Sequence, residues 1–281
     1  MTQIIQLEKL FGELEQADTA EDKTLIIKSI RTLASEIIDF QALGIGLAHL
    51  LKHPDVEVRS CFAEILGNNK VTSMASGILE ALKFEKNIDA RMCFVDALGR
   101  MGDRSALPLL IGILTEPIRS RSEMRLHWHV ADALGLIEDT SAVDALVTAL
   151  IADYSLFEPS SSDLREAAAG ALSRLRSQST GERLIAELKK EELHPIDYKD
   201  EAIRCLIAKT LGELKLEIAI RPLIELLKQT KPNVRAAAGE ALGNYGGDEV
   251  IEALSEAMSA EDKELRFCAS LALKRISDNS Q

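Results

Sequence analysis

Residues 59–67 read RSCFAEILG, and residues 91–99 read RMCFVDALG. The same phrase returns as HWHVADALG at 127–135, with His in the Arg slot, and as REAAAGALS at 165–173, with Ser in the Gly slot. It returns again as RCLIAKTLG at 204–212, RAAAGEALG at 235–243 and RFCASLALK at 266–274. Counting from the Arg slot, positions +2, +3, +6 and +7 are small or apolar in these copies. That spacing is one stripe of an α-helix. Seven copies make the chain a repeat protein before any single residue is weighed.

Each phrase predicts the second helix of a helical pair. The closing Gly is expected to end that helix in a left-handed conformation. A polar turn follows, such as Arg-Met-Gly-Asp-Arg, and then an amphipathic helix such as SALPLLIGIL at 105–114. Pro108 and Pro222 fit the first turn of that helix. Asp89, Asp163 and Asn233, two residues before the Arg, suit helix capping. The Arg itself is read as structural, bonding to neighbouring turns and carbonyls. One pair cannot bury its own apolar face, so the pairs must stack. Residues 1–54 lack the phrase but carry amphipathic stretches at about 3–16, 20–38 and 40–52, read as a degenerate first repeat plus a cap. The polar end of the chain, KRISDNSQ at 274–281, is read as closing the other end.

These seven phrases resemble the HEAT-repeat family, specifically the bacterial HEAT-like variety found in phycobilin lyase subunits. The resemblance implies an all-α fold: a right-handed α-α superhelix, a HEAT-like solenoid of about seven helix pairs plus an N-terminal cap. It implies one repeat domain over 1–281, with motif helices and their partners in 55–275 and a polar tail at 276–281. It also implies a protein–protein interaction scaffold. The lyase members attach tetrapyrroles to cysteines of antenna proteins, so the alternative is a phycobilin lyase-like or tetrapyrrole-handling chaperone with a bilin. The aromatic-rich segment of those lyases is absent here. Other HEAT-like proteins are iron-dependent hydroxylases with His-Glu dyads in several motif helices, and no His is followed by Glu in this chain.

Composition narrows the partner. The formal charge is −12, which argues against gripping nucleic acid, because that needs a basic stripe to neutralise phosphates. No run has the length of a membrane span, and the first residues lack a basic leader before an apolar core. Cys61, Cys93, Cys205 and Cys268 form no CxxC pair and are read as reduced thiols of a cytoplasmic protein. Cys61, Cys93 and His129 share position +2, which suggests a metal ladder. Helices about 8–10 Å apart cannot bring such residues to one ion. The expectation is no metal and no cofactor. Gly44-Ile-Gly46 lacks the Lys and further glycines of a phosphate loop. There is no GxSxG, and Glu191 and Glu192 read as a charged helix end. No catalytic constellation emerges.

Departures from periodicity point to a binding surface. From each closing position to the next Arg slot the chain runs 24, 28, 30, 31, 23 and 23 residues. The added length is placed in three successive loops: 116–124 (EPIRSRSEM), 153–163 (DYSLFEPSSSD) and 190–200 (KEELHPIDYKD). Insertions on one edge of a solenoid suit recognition, so Arg119, Arg121, Tyr154 and Phe157 are candidates. Positions +1 and +5 should line the exposed inner face. In the first three copies, +5 holds Glu64, Asp96 and Asp132, while +1 holds Ser60, Met92 and Trp128. Trp128 is the chain's only tryptophan. A tryptophan beside an acidic column is the composition of a protein-binding hot spot. The candidate partner surface is therefore Met92, Asp96, Trp128, Asp132 and Glu64 with the four loop residues. The partner's identity is open.

Overall fold

A computed structural model describes residues 2–36, 44–152, 154, 161–190, 198–228 and 231–279. Among the described residues there are helices and no strand. The chain divides into two compact units, Met1–Asp139 and Thr140–Gln281. The first holds α1 (Thr2–Gln16), α2 (Ala20–Ser35), α3 (Val56–Asn68), α4 (Ala75–Phe84), α5 (Ile88–Met101), α6 (Leu107–Thr115) and α7 (Arg121–Ile137). A short 3-10 helix, Ala48–Lys52, precedes α3. The second holds α8 (Val143–Ile151), α9 (Ser161–Arg174), α10 (Gln178–Leu188), α11 (Tyr198–Leu214), α12 (Ile220–Leu227), α13 (Pro232–Leu242), α14 (Asp248–Ala257) and α15 (Lys263–Asn279).

The phrases fall on α3, α5, α7, α9, α11, α13 and α15, each with a shorter helix before it. The +3 residues Phe62, Phe94, Val130, Ala168, Ile207, Ala238 and Ala269 are all buried, but +2, read from the sequence as part of the same stripe, is half-buried in every copy after the first, and +4 is buried in its place in the first six copies. In the first unit α3 packs on α5 and α5 on α7; in the second, α9 packs on α11, α11 on α13 and α13 on α15. The cap joins its unit through an edge-to-face contact of Phe11 on α1 with Phe62 on α3, centroids 6.0 Å apart.

Three local expectations are corrected. The closing glycines do not adopt positive φ; the residues that do are Lys70, Gly102, Glu138 and Lys215, each three positions later, and Gly247. The glycines serve contact instead. A Cβ on Gly67 would lie 2.6 Å from the Ala97 Cα, and one on Gly99 would lie 2.7 Å from the Ala133 Cα. Gly212 stands in the same relation to Ala241, with 2.8 Å to its Cα. The +8 position of one copy thus meets the +6 Ala of the next, and two helix backbones approach closely. Second, in three copies the side chain that caps the helix stands four residues before the Arg, not two. Asp55 accepts from the Glu57 and Val58 N–H, Asn87 from those of Asp89 and Ala90, and Asp262 from those of Glu264 and Leu265. Asp89 lies inside the first turn, where its charge suits the helix dipole. Third, the polar tail begins as helix: α15 runs to Asn279 and buries Ile276.

In four copies the Arg slot behaves as a staple, whereas the buried Arg91 Nε has no hydrogen-bond partner among the described residues. Arg59 Nη1 donates to the carbonyls of His53 and Pro54 at 2.6 and 2.8 Å, and Arg266 does the same to Ala260 and Glu261 at 2.6 and 2.9 Å. These are the residues six and five before each Arg. Where the preceding loop is longer the reach is longer: Arg165 donates to Ala152 O, and the His127 Nε2 lies 3.2 Å from Glu116 O. Arg59 also grips Glu85 through Nε and Nη2, at 2.6 and 3.0 Å.

Candidate functional site

The candidate face of the first unit is built from one register. Helical spacing sets +1 and +5 one turn apart on α3, α5 and α7. Trp128 is 40% exposed, as a surface anchor requires. Met92, expected beside it, is only 5% exposed and belongs to the core. The exposed face therefore carries one large apolar group at these positions, not two. Glu64, Asp96 and Asp132 are half-buried.

The acidic column is engaged within the protein. Glu64 Oε2 accepts from Arg31 Nη2 of α2 at 2.7 Å. Asp96 Oδ1 lies 2.7 Å from His129 Nδ1 on the next motif helix. His129, like the +2 residue of every copy after the first, is half-buried, and its ring is turned to Asp96. The ring is also edge-on to Trp128, centroids 4.5 Å apart. The indole thus sits beside a hydrogen-bonded His–Asp pair that restrains its neighbour.

The cysteines beneath this face are poor nucleophiles. Burial pushes the Cys61 thiol up to about 12, and the nearby Glu64 carboxylate adds to the effect. Burial also raises Cys93, reinforced by Asp96, Glu64 and Asp89 against a hydrogen bond from Ser60. Thiols held protonated do not attack. Among the described residues no group of three His, Cys, Asp or Glu side chains is placed to hold a metal ion.

The lengthened loops are only partly loops. The segment expected at 116–124 turns helical at Arg121, so α7 starts six residues before its His127 where α3 and α5 start three before their Arg. Ser120 caps this added turn by accepting from the Glu123 N–H, and the Glu123 carboxylate accepts from the Arg119 N–H at 2.6 Å. This reciprocal bonding approximates a capping box. The side chains of Arg119 and Arg121 remain exposed. Helix α11 also starts six residues before its Arg204. Tyr154 is half-buried, with the Arg165 guanidinium 5.5 Å over its ring, so it packs against the staple of its own repeat. Burial pushes its hydroxyl up to about 12 in spite of Arg165. Phe157 and most of 190–200 lie outside the described residues.

Two apolar features escaped the sequence reading. In the last copy, +1 and +5 are Phe267 and Leu271, exposed by 65% and 51%. The register that singled out Trp128 would have found them. Phe84, at the end of α4, is 77% exposed, and no repeat position marks it.

Comparison with known proteins agrees with the repeat architecture. A family model described as HEAT repeats matches residues 46–127 and 220–281. Among solved structures, human deoxyhypusine hydroxylase in complex with glycerol is similar at 17% identity over 99% of this chain and 98% of that one, with a TM-score of 0.39. The CpcE–CpcF complex of phycocyanin lyase from Nostoc is similar at 21% identity over 87% and 90%, with a TM-score of 0.47. An engineered protein is similar at 21% identity over 96% and 78%, with a TM-score of 0.46. No curated protein sequence matches.

Proposed function

We propose, since this chain belongs to the HEAT-repeat family, that it is a non-catalytic scaffold or assembly factor. It binds a partner protein through the exposed face of α3, α5 and α7, with the Arg119–Arg121 turn as the adjoining edge. The exposed indole of Trp128 carries this reading. It stands on a rigid helix, in a chain with 4% aromatic residues, beside the hydrogen-bonded His129–Asp96 pair. An apolar anchor ringed by polar groups that already have partners is the anatomy of an interface hot spot. Because Arg31 and His129 engage two of the carboxylates, the anchor matters more for affinity than the column's charge does. Four free cysteines with no CxxC pair among them fit a cytoplasmic protein.

The test is capture of partners by the tagged protein, followed by the same capture with Trp128→Ala and with Trp128→Ala/Asp132→Lys. Loss of a hot-spot tryptophan weakens binding by about 2 kcal/mol, roughly thirtyfold in Kd. An unchanged set of captured proteins would assign binding to another surface.

The competing reading, a tetrapyrrole-handling chaperone, uses the same face: the indole as a flat wall, and Asp96 and Asp132 as acceptors for pyrrole N–H groups. Burial of Met92 removes one of its apolar contacts. Phycocyanobilin mixed with the purified protein separates the two. A shifted visible spectrum that Trp128→Ala abolishes favours the pigment; an unshifted spectrum favours the scaffold.

A further inference from the structure

A second surface of the first unit has an opposite character. A groove of about 570 Å³ opens between the 3-10 helix 48–52, the start of α3 and the end of α4. Leu51 and Ala81, both buried, supply its apolar wall, and Phe84 stands at its rim. Phe84 is the most exposed of the large apolar side chains among the described residues. It takes no part in the buried stripe of α4, which is Ala75, Ile78, Ala81 and Leu82. A polar residue would serve the helix equally well there, so folding does not account for the phenylalanine.

The charges around it differ from the rest of the chain. Lys52 and Lys86 line the groove, and Lys83 is exposed on the same last turn of α4. Glu80 is the one exposed carboxylate in the lining, 3.8 Å from Lys52. The other, Glu85, is clamped by Arg59 and accepts from the Asn87 N–H at 2.8 Å, so that pair cancels within the floor. Lys52, Arg59 and Lys86 against Glu80 and Glu85 leave the lining with one net positive charge, with Glu15 3.4 Å from His53 beside it, in a protein of net charge −12. An acidic ligand is repelled by most of this chain and drawn to this patch.

We propose that this groove is the docking site for an acidic peptide segment of a partner protein. One apolar side chain of that segment packs against Phe84, Leu51 and Ala81. Flanking carboxylates meet Lys52 and Lys86. The floor is preorganised: the bidentate Arg59–Glu85 pair and the two carbonyls bonded by Arg59 fix the turn on which Lys86 sits. The site is separate from the Trp128 face, so each can fail without the other.

The test is selection from a random-peptide phage library on the full-length chain, with counter-selection on Phe84→Ser/Lys86→Glu. Enriched peptides are then measured by fluorescence anisotropy at low and high salt. The expected peptides carry one large apolar residue flanked by Asp or Glu. Their affinity falls about tenfold in Phe84→Ser and about tenfold in Lys52→Glu/Lys86→Glu, with salt weakening only the wild-type and Phe84→Ser complexes. Both variants keep the wild-type circular-dichroism melt, because the altered side chains are exposed. No enrichment, enrichment of basic peptides, or equal binding by Phe84→Ser overturns the proposal. So does sedimentation showing a wild-type dimer that Phe84→Ser dissolves, which would make a second copy of the chain the occupant.

Discussion

At Gly99, Gly102 and Gly112 the same residue type serves three different physical situations, and alanine separates them. A Cβ on Gly99 would lie 2.7 Å from both Cα and Cβ of Ala133. Gly99→Ala forces α5 and α7 apart and costs about 1–3 kcal/mol. Gly102 has φ +67 and open space around it, so Gly102→Ala costs about 1–2 kcal/mol from backbone strain alone. Gly112 is exposed within α6 with nothing near its Cβ position. Gly112→Ala stabilises by about 0.5–1 kcal/mol through helix propensity. Urea titration of the three variants checks the order. Equal cost at Gly99 and Gly112 would sink the account of the closing glycines as contact points. The pairing also explains a covariation within the chain. The copy that closes with Ser173 is followed by Thr210 at +6, not Ala, and Ser173 Oγ donates to Glu213 of that next helix at 2.6 Å.

At the scale of the helix, caps and staples do separable work. Asn87→Ala removes the acceptor for two N–H groups of α5 and should lower stability by about 1 kcal/mol. Asp89→Ala, in the first turn, should cost less than about 0.5 kcal/mol. Thermal melts of the pair decide which residue is the cap. The staple adds a pH dependence. Burial pushes the Glu85 carboxyl up, but Arg59 and the N–H groups of Asn87 and Lys86 outweigh it and hold it below the usual glutamate range. A depressed folded value means the stabilisation is fully present above the unfolded value, about pH 4.3, and is lost as pH falls through the folded value. Glu85→Gln should cost about 1.5–3 kcal/mol at neutral pH, a difference from wild type that shrinks below about pH 4.3. A pH-independent difference would refute the assignment. Much of this architecture was legible: the +3, +6 and +7 positions of the apolar stripe, the structural Arg and the helical pairing follow from a phrase repeated seven times, while +4 is buried where +2 was expected. What the phrase hid has a common cause. A Gly near a helix end reads alike as a left-handed cap or a close contact, because both demand a missing Cβ. An Asp two or four residues before the Arg reads alike as a cap until the helix start is known. Met92 and Trp128 share position +1, yet neighbouring helices bury one and leave the other at the surface. No spacing rule carries that information, and Phe84 has no repeat position at all.

For the whole molecule, stability in a repeat array is a sum of local terms and nearest-neighbour contacts, and this chain offers a probe that reads one region alone. Trp128, the single tryptophan, lies in the first unit, Met1–Asp139. Its fluorescence reports unfolding there, whereas far-ultraviolet circular dichroism sums the helices of both units. Gly99→Ala and Gly212→Ala introduce the same clash, against Ala133 in the first unit and Ala241 in the second. Two-state unfolding of the entire chain would shift both signals equally for either variant. Local energetics predict an asymmetry. Gly99→Ala should lower the Trp128 midpoint in urea and broaden the dichroism transition. Gly212→Ala should lower the dichroism midpoint and leave the Trp128 midpoint nearly in place. The contrast bears on function, because the Trp128 face and the Phe84 groove both lie in the first unit. If the asymmetry holds, substitutions in the second unit leave those surfaces folded, and any loss of binding they cause identifies contacts made there. Coincident midpoints in both variants would show that the array unfolds as one body, and distant substitutions would then reach these surfaces through stability alone.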